Sequence, residues 1–159
     1  MSGLLYMNIQ EEDPGTDDVH ALLLEHLADM RIHSPLESIH ALDIAALRMP
    51  AITFWTVRDE GVLQGCGALK QLDTELAEIK SMRTAPEHQR KGVANLLMHH
   101  ILSVAAEREL KYLLLETGTP DAYKPARLLY ASHGFVECPP FADYKLDPYS
   151  VFMRRAMQV

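Results

Sequence analysis

The sequence has little of what marks several large classes of protein. Its 159 residues include only two cysteines, Cys66 and Cys138, and neither has a CxxC or Cys/His spacing. This excludes a disulfide framework and offers no metal-ligand pattern. No apolar run approaches the roughly 20 residues that a membrane-spanning helix needs. Residues 1–8 also lack the basic start and long apolar run of a signal peptide. We therefore expect a reduced, soluble, cytoplasmic protein without a membrane partner.

Internal repeats, low-complexity tracts and Pro/Gly-rich linkers are also missing, so we expect one domain over residues 1–159. A chain of this length buries roughly 70% of the surface that it exposes when unfolded. The hydrophobic fraction is 48% and the charged fraction is 23%. These are the values of an ordinary globular protein, which excludes disorder as the main state.

Positive charge is in deficit, because 15 Lys and Arg stand against 22 Asp and Glu, for a net charge of −7. A net-negative surface is repelled by a phosphate backbone, so we expect no general nucleic-acid binding. An anionic ligand would have to bind at a local positive site.

The hydrophobic periodicity predicts a mixed α/β domain in the order βααβββαβαββ. The three central strands are joined by tight turns and should form an antiparallel meander, in which Gly65 and Gly67 mark bends or close backbone approach. The expected strands are 4–9, 51–58, 62–72, 75–84, 112–117, 135–138 and 151–155. The expected helices are one capped by Thr16 or Asp17 and running past residue 30, then 36–47, 92–110 and 125–133.

The most informative segment is Gln89-Arg90-Lys91-Gly92-Val93-Ala94, between a strand and a long amphipathic helix. A loop that enters a helix presents unpaired backbone N–H groups and the positive end of the helix dipole. Gly92 allows close approach of a ligand, and two cationic side chains add to the field. Such an element suits a phosphate or pyrophosphate, although it could also be only a basic helix start. It is neither a GxxxxGK[ST] loop nor a GxGxxG fingerprint.

The pattern Q/R-x-x-G-x-G/A at this junction resembles the acyl-CoA-binding motif of the GNAT superfamily of N-acetyltransferases. A second signature agrees, because Ala126 to Phe135 matches A-x-x-x-Y-x-x-x-G-F. The strand at 77–84 and the apolar strand at 112–117 stand where the family has strands, so the resemblance covers nearly the whole chain.

The resemblance implies a mostly antiparallel central sheet flanked by helices, with two parallel strands that splay apart at the acetyl-CoA site. Acetyl-CoA is then a co-substrate, and no metal is implied. We expect pantetheine to pair with the backbone of the preceding strand and the pyrophosphate to lie on the loop. The implied residues are Met82, Arg83, Thr84, Gln89, Arg90, Lys91, Gly92, Val93, Ala94 and Asn95.

Two catalytic residues follow from the same resemblance. Tyr130 occupies the place of the tyrosine that protonates the leaving thiolate; the alternative is a half-buried aromatic of an amphipathic helix. Glu78 is the candidate general base for the amine, and the alternative is a solvated strand glutamate. Glu116 is the second candidate base. A base is needed because a lysine-like ammonium with a pKa near 10.4 is almost entirely protonated at pH 7.

The sequence departs from the family pattern at Tyr123, where many members have an asparagine that contacts pantetheine. The acceptor should lie between residues 31–40 and the aromatic, carboxylate-rich loop 139–149, which could instead be a structural cover or a dimer contact. The histidines of the first helices, His40 among them, have no metal-ligand spacing. We expect a small primary amine as acceptor and, as is common in the family, a homodimer. The alternatives are a protein or peptide acetyltransferase and a non-catalytic acyl-CoA sensor.

Overall fold

The computed structural model describes residues 7–40 and 43–157. Strands and helices follow one another in the predicted order. The strands are β1 (Met7–Glu11), β2 (Ile52–Asp59), β3 (Val62–Gln71), β4 (Leu76–Thr84), β5 (Tyr112–Gly118), β6 (Val136–Glu137) and β7 (Ser150–Ala156). The α-helices are α1 (Asp17–His33), α2 (Ile44–Leu47), α3 (Val93–Glu107) and α4 (Lys124–Ser132). One-turn 3-10 helices lie at Leu36–Ser38, Pro86–His88 and Asp121–Tyr123.

The strands form one sheet in the order β1-β2-β3-β4-β5-β7-β6. Every neighbouring pair is antiparallel except β4 and β5, which are parallel. A parallel pair needs a crossover connection, and α3 supplies it. The predicted mostly antiparallel sheet with one parallel pair is confirmed.

Helices cover both faces of the sheet. Successive side chains of a strand point to opposite faces, and β2 has large apolar side chains on both. In β2, Phe54 packs with Val19 and Leu22 of α1, whereas Trp55 packs in the cluster that contains Leu97 of α3. The helix α1 therefore lies on one face, and α3 lies on the other. No helix among the described residues is both long and apolar enough to cross a membrane.

The parallel strands β4 and β5 separate along their length. Their pairing ends where Ile79 lies opposite Leu115, although β4 continues to Thr84 and β5 to Gly118. Ser81 has a φ of +56°, and the register of β3 against β4 shifts at the same level. This bulge bends β4 away from β5. The backbone groups of β4 on that side are left for another partner.

Two glycines of β3 make room for the bent strand. A Cβ on Gly65 would lie 2.7 Å from the carbonyl oxygen of Arg83, and one on Gly67 would lie 2.6 Å from Sδ of Met82. The contact at Gly65 is to backbone, so the predicted close backbone approach is confirmed there. The contact at Gly67 is to the end of a flexible side chain.

The predicted helix over 36–47 is wrong. A single 3-10 turn at Leu36–Ser38 gives way to extended backbone at Ile39, with φ −98° and ψ 118°. The helix α2 then begins after Asp43, whose carboxylate accepts a hydrogen bond from the Ala46 amide at 2.8 Å. The predicted first strand is observed from Met7 onward, and its first three residues lie outside the described part of the chain.

Candidate active site

A cleft of about 690 Å³ opens where β4 and β5 separate. The helix α1 and the first turns of α3 and α4 complete its walls. Of the ten residues predicted to bind the cofactor, all but Lys91 line it, namely Met82, Arg83, Thr84, Gln89, Arg90, Gly92, Val93, Ala94 and Asn95. Lys91 is exposed at the same loop, with its Nζ 3.1 Å from Nδ1 of His88.

The first turn of α3 has the geometry of an anion site. Gly92 is the N-cap residue with a φ of +86°, and no side chain caps this end of the helix. Arg90 also has a left-handed backbone, with a φ of +64°. The N–H groups of the first turn are therefore directed outward without a partner in the helix. A phosphate would satisfy these groups and lie beside the exposed side chain of Arg90.

The other cations of this region are already paired. Arg83 contacts Glu25 at 2.8 Å and Asp29 at 2.7 Å, both on α1. Lys80 pairs with Glu78 inside the protein. The charge of Arg83 is thus compensated by two carboxylates of α1, whereas the side chains of Arg90 and Lys91 are exposed at the loop.

A second cavity of about 150 Å³ continues the cleft through the gap between the strands. Six residues line both spaces: His26, Met30, Met82, Tyr123, Ala126 and Tyr130. The cleft and the small cavity are therefore continuous.

Tyr130 lies at this junction and is 8% exposed. Its ring packs edge-on against Phe135, and its hydroxyl has no hydrogen-bond partner among the described residues. Burial raises the pKa of Tyr130 to about 12. The hydroxyl consequently keeps its proton at neutral pH and can donate it to a ligand.

Glu78 lies on β4 at the small cavity and is only 3% exposed, so the alternative of a solvated strand glutamate is wrong. The hydroxyl of Tyr144 donates to its Oε2 at 2.6 Å, and Nζ of Lys80 lies 3.2 Å from the same oxygen. Lys80 also donates to the Tyr144 hydroxyl at 2.8 Å. Burial and the neighbouring Glu78 hold the pKa of Tyr144 above its usual range. The role of Glu78 as a base stays a prediction.

Glu116, the second candidate base, is paired with a histidine that sequence reasoning set aside. Nδ1 of His40 lies 2.8 Å from Oε1 and 2.7 Å from Oε2 of Glu116, and Ser150 donates to Oε2 at 2.7 Å. All three residues line the small cavity. Since 76 positions separate His40 from Glu116, no local spacing could have indicated the pair.

The two segments predicted to hold the acceptor meet beside this pair. Oγ of Ser38 donates to Asp147 at 2.6 Å, and this hydrogen bond holds the pKa of Asp147 below its usual range. The ring of Tyr144 packs edge-on against His40 at 5.0 Å. A third cleft of about 400 Å³, lined by the loop residues from Ala142 to Asp147, reaches His40 and Glu78 from the outside.

Tyr123 fills the place of the family's asparagine with an aromatic ring. The ring lies edge-on to His33 of α1, with centroids 6.3 Å apart. On its other side it lies so close to Gly118 that any Cβ there would overlap it. Glycine at the end of β5 is therefore what admits this tyrosine to the cleft wall.

His26 is a further wall residue that sequence reasoning did not single out. Burial, together with the nearby Arg83 charge, lowers its pKa to about 4, and its Nδ1 has no partner among the described residues. The ring is neutral at physiological pH. Within the described part of the chain, no set of three or more His, Cys, Asp or Glu residues could hold a metal ion.

Comparison with known proteins agrees with this geometry. Residues 17–135 match the profile of the acetyltransferase (GNAT) family. The uncharacterized N-acetyltransferase YsnE of Bacillus subtilis (strain 168) is 50% identical over 151 residues, covering 95% of this chain and 100% of that protein. The uncharacterized N-acetyltransferase YedL of Escherichia coli (strain K12) is 50% identical over 145 residues, covering 91% of each chain.

Solved structures show the same fold. A candidate acyl-CoA N-acyltransferase from Klebsiella pneumoniae superposes with a TM-score of 0.78 at 25% identity, covering 96% of this chain and 98% of that one. A GNAT family acetyltransferase from Elizabethkingia anophelis, solved with acetyl-CoA bound, gives a TM-score of 0.68 at 18% identity, covering 95% and 98%. Spermidine N-acetyltransferase from Vibrio cholerae, solved with CoA and spermine, gives 0.71 at 19% identity, covering 96% of each chain. This chain belongs to the GNAT family of acetyltransferases.

Proposed function

We propose that the protein is an acetyl-CoA-dependent N-acetyltransferase that acetylates the primary amine of a small molecule. The amine attacks directly while both substrates are bound. One observation carries this proposal: the buried residue Tyr130 lines both the large cleft and the small cavity, at the place where they meet. A reaction between a ligand in each space would take place beside it.

Several features of the large cleft support acetyl-CoA as the donor. The uncapped start of α3 suits the pyrophosphate. The unpaired edge of β4 offers amide and carbonyl groups to the pantetheine arm, as far as the N–H groups near Met82. The relative from Elizabethkingia anophelis binds acetyl-CoA on the same fold.

The small cavity supports a small amine as acceptor. Its volume of about 150 Å³ suits the amino end of a small molecule better than a length of polypeptide. The contact of Ser38 with Asp147 ties together the two segments that a peptide would have to pass between. Two carboxylates, Glu78 and Glu116, line the cavity against one lysine ammonium, so the local charge favours a cation.

Residues of the chain would act on both sides of the bond that breaks. A backbone N–H near Met82 would donate to the thioester carbonyl oxygen as negative charge develops there. Tyr130 would donate a hydrogen bond to the sulfur. The pKa of this tyrosine, about 12, exceeds the value of about 8.5 of a simple thiol. The hydroxyl is the weaker acid, so it stabilises the developing thiolate by its hydrogen bond and passes its proton to the sulfur only as the acylated amine nitrogen returns one to it.

The test measures thiol release from acetyl-CoA with a panel of small primary amines, with mass spectrometry of the products and calorimetry of acetyl-CoA binding. We expect acetyl-CoA to bind and at least one amine to be acetylated. Binding of acetyl-CoA with no turnover of any amine would favour a sensor. Turnover confined to peptide substrates in a parallel panel would favour a protein acetyltransferase.

A further inference from the structure

We propose that His40, held by Glu116, accepts the proton of the attacking amine. This inference rests on the proposed function and assigns the base within the same site. It places the proton acceptor on the segment between α1 and α2, not on the β4 strand where the sequence indicated it.

The contacts of the ring define its tautomer. A carboxylate only accepts hydrogen bonds, so the His40 nitrogen that lies 2.7–2.8 Å from both Glu116 oxygens carries a proton. In the neutral ring, Nε2 is then the basic nitrogen. The hydroxyl of Ser150 fixes the carboxylate by donating to Oε2 at 2.7 Å. Ser150 thus orients Glu116, and Glu116 in turn orients His40 with Nε2 as its basic nitrogen.

The position of the ring gives it access to an acceptor. His40 lines the small cavity together with Tyr130, and it also lines the outer cleft beside Tyr144. An amine that reaches the cavity from that side passes the ring before it meets the junction with the acetyl-CoA cleft.

The two carboxylates are less suited to the task. Glu78 already accepts a hydrogen bond from Tyr144 at Oε2, and the same oxygen is paired with the ammonium of Lys80. Glu116 is 12% exposed, and its two oxygens are engaged by His40 and Ser150. Nε2 of His40 and Oε1 of Glu78 make no hydrogen bond to the described residues, but the Glu78 carboxylate already has the Lys80 ammonium as its counter-charge.

The chemistry balances as follows. The amine enters as R–NH3⁺ and gives one proton to Nε2, which leaves an imidazolium paired with Glu116 and a neutral R–NH2. The nitrogen lone pair forms the C–N bond at the thioester carbonyl carbon, the C–S bond breaks, and the sulfur leaves with the electron pair. The nitrogen loses its second proton, which replaces the one passed to the sulfur at Tyr130. The imidazolium releases its proton to solvent, so one proton is freed per amide formed.

The charged surroundings of His40 come from three elements. Glu116 faces it from β5, Asp147 and the Tyr144 phenol from the loop before β7, and the ion pair of Glu78 with Lys80 from β4. Glu37 precedes it on its own segment and lines the outer cleft together with Lys70, Asp143 and Lys145. The imidazolium that forms during the reaction would be paired with Glu116.

The test compares His40→Gln with the wild type on two acceptors of the same shape. One is an amine R–CH2–NH2, such as phenethylamine; the other is the alkoxyamine R–O–NH2, such as O-benzylhydroxylamine, which is neutral at pH 7 and needs no base to free its lone pair. We expect kcat/KM to fall about 10²–10³-fold for the amine. For the alkoxyamine we expect a fall of less than about tenfold, because it enters neutral and its one departing proton goes to the sulfur at Tyr130, not to His40. His20→Gln, an exposed histidine of α1, should change neither rate.

A second measurement does not depend on turnover. Two-bond ¹⁵N–¹H NMR of the imidazole should show His40 with its proton on Nδ1 in the wild type and a mixture of tautomers in Glu116→Gln. Acetyl-CoA affinity should stay within about twofold in His40→Gln. Equal losses for the amine and the alkoxyamine, or an Nε2–H tautomer in the wild type, would overturn the assignment. Absence of turnover in the wild type with every amine would instead overturn the proposed function.

Discussion

The buried ion pair of Lys80 with Glu78 allows a test of how much a buried charge contributes to the stability of the small cavity's wall. Lys80→Met removes the ammonium and keeps most of the side chain's length. The two side chains are 8% and 3% exposed, so the carboxylate that stays behind has little access to water. It retains one partner, the hydroxyl of Tyr144 at 2.6 Å.

Removing one member of a buried ion pair typically costs about 3–5 kcal/mol, because the other charge is left uncompensated. We expect the lower end, about 3 kcal/mol, since the Tyr144 hydroxyl still donates. For a chain of this size that corresponds to a fall in Tm of about 10 °C. The double variant Lys80→Met/Glu78→Gln should be more stable than Lys80→Met by roughly 1–3 kcal/mol, because it removes the stranded charge as well.

Urea denaturation at pH 7 of the wild type, Lys80→Met, Glu78→Gln and the double variant gives the coupling energy. The matched control is Lys111→Met, because Lys111 pairs with Glu75 at 3.4 Å while 65% and 54% of the two side chains are exposed. An exposed pair contributes about 0–1 kcal/mol. A loss in Lys80→Met no larger than in this control, or a double variant with simply additive losses, would refute the reasoning from burial.

Three other predictions concern the cleft and the outer sheet. Tyr130→Phe should lower kcat about 10²-fold and leave acetyl-CoA affinity and Tm nearly unchanged, because the hydroxyl has no partner among the described residues; unchanged turnover would remove it from the mechanism. Gly92→Ala should destabilise the protein by about 1–2 kcal/mol, because the φ of this residue is +86°, and it should raise the KM for acetyl-CoA. The control is Gly61→Ala, at φ +84° in a hairpin far from the cleft, which should lower the stability by a similar amount without changing that KM. The hydrogen bond from Arg58 holds the pKa of Glu12 below its usual range, so the stability from this pair is present above about pH 4.3 and lost as the pH falls through the lowered pKa. In urea denaturation, Arg58→Met should therefore have a lower free energy of unfolding than the wild type at pH 7, and the difference should shrink in acid.

The sequence alone determined the elements whose physics is local. The start of α3 has the geometry of an anion site because Gly92 and its neighbours fix the backbone within a few residues, and this could be predicted from the letters QRKGVA. The strands followed from alternation and apolar runs, and the bend at Gly65 and Gly67 followed from two missing side chains. The position of Tyr130 could be predicted because the second signature lies mostly within a single helix, where sequence spacing fixes which residues share a face.

Tertiary structure decided which charges meet. The four cations between Lys80 and Lys91 form one positive cluster in the sequence. In the folded protein Lys80 and Arg83 are paired with carboxylates, and Arg90 and Lys91 lie at the loop before α3. The same contacts explain the wrong helix at 36–47, because Ser38 and His40 are hydrogen-bonded to distant residues.

The contact of His40 with Glu116 is the part of the site that the sequence alone could not indicate. A helix cap or a phosphate loop is built by neighbours in sequence, so its residues carry their own signal. A pair of side chains in contact needs only a short distance between two groups, and here the two residues are 76 positions apart in the sequence. The sequence determined that this chain folds as a GNAT acetyltransferase with an uncapped, glycine-led start of α3. The folded distances decided which side chains face the acceptor.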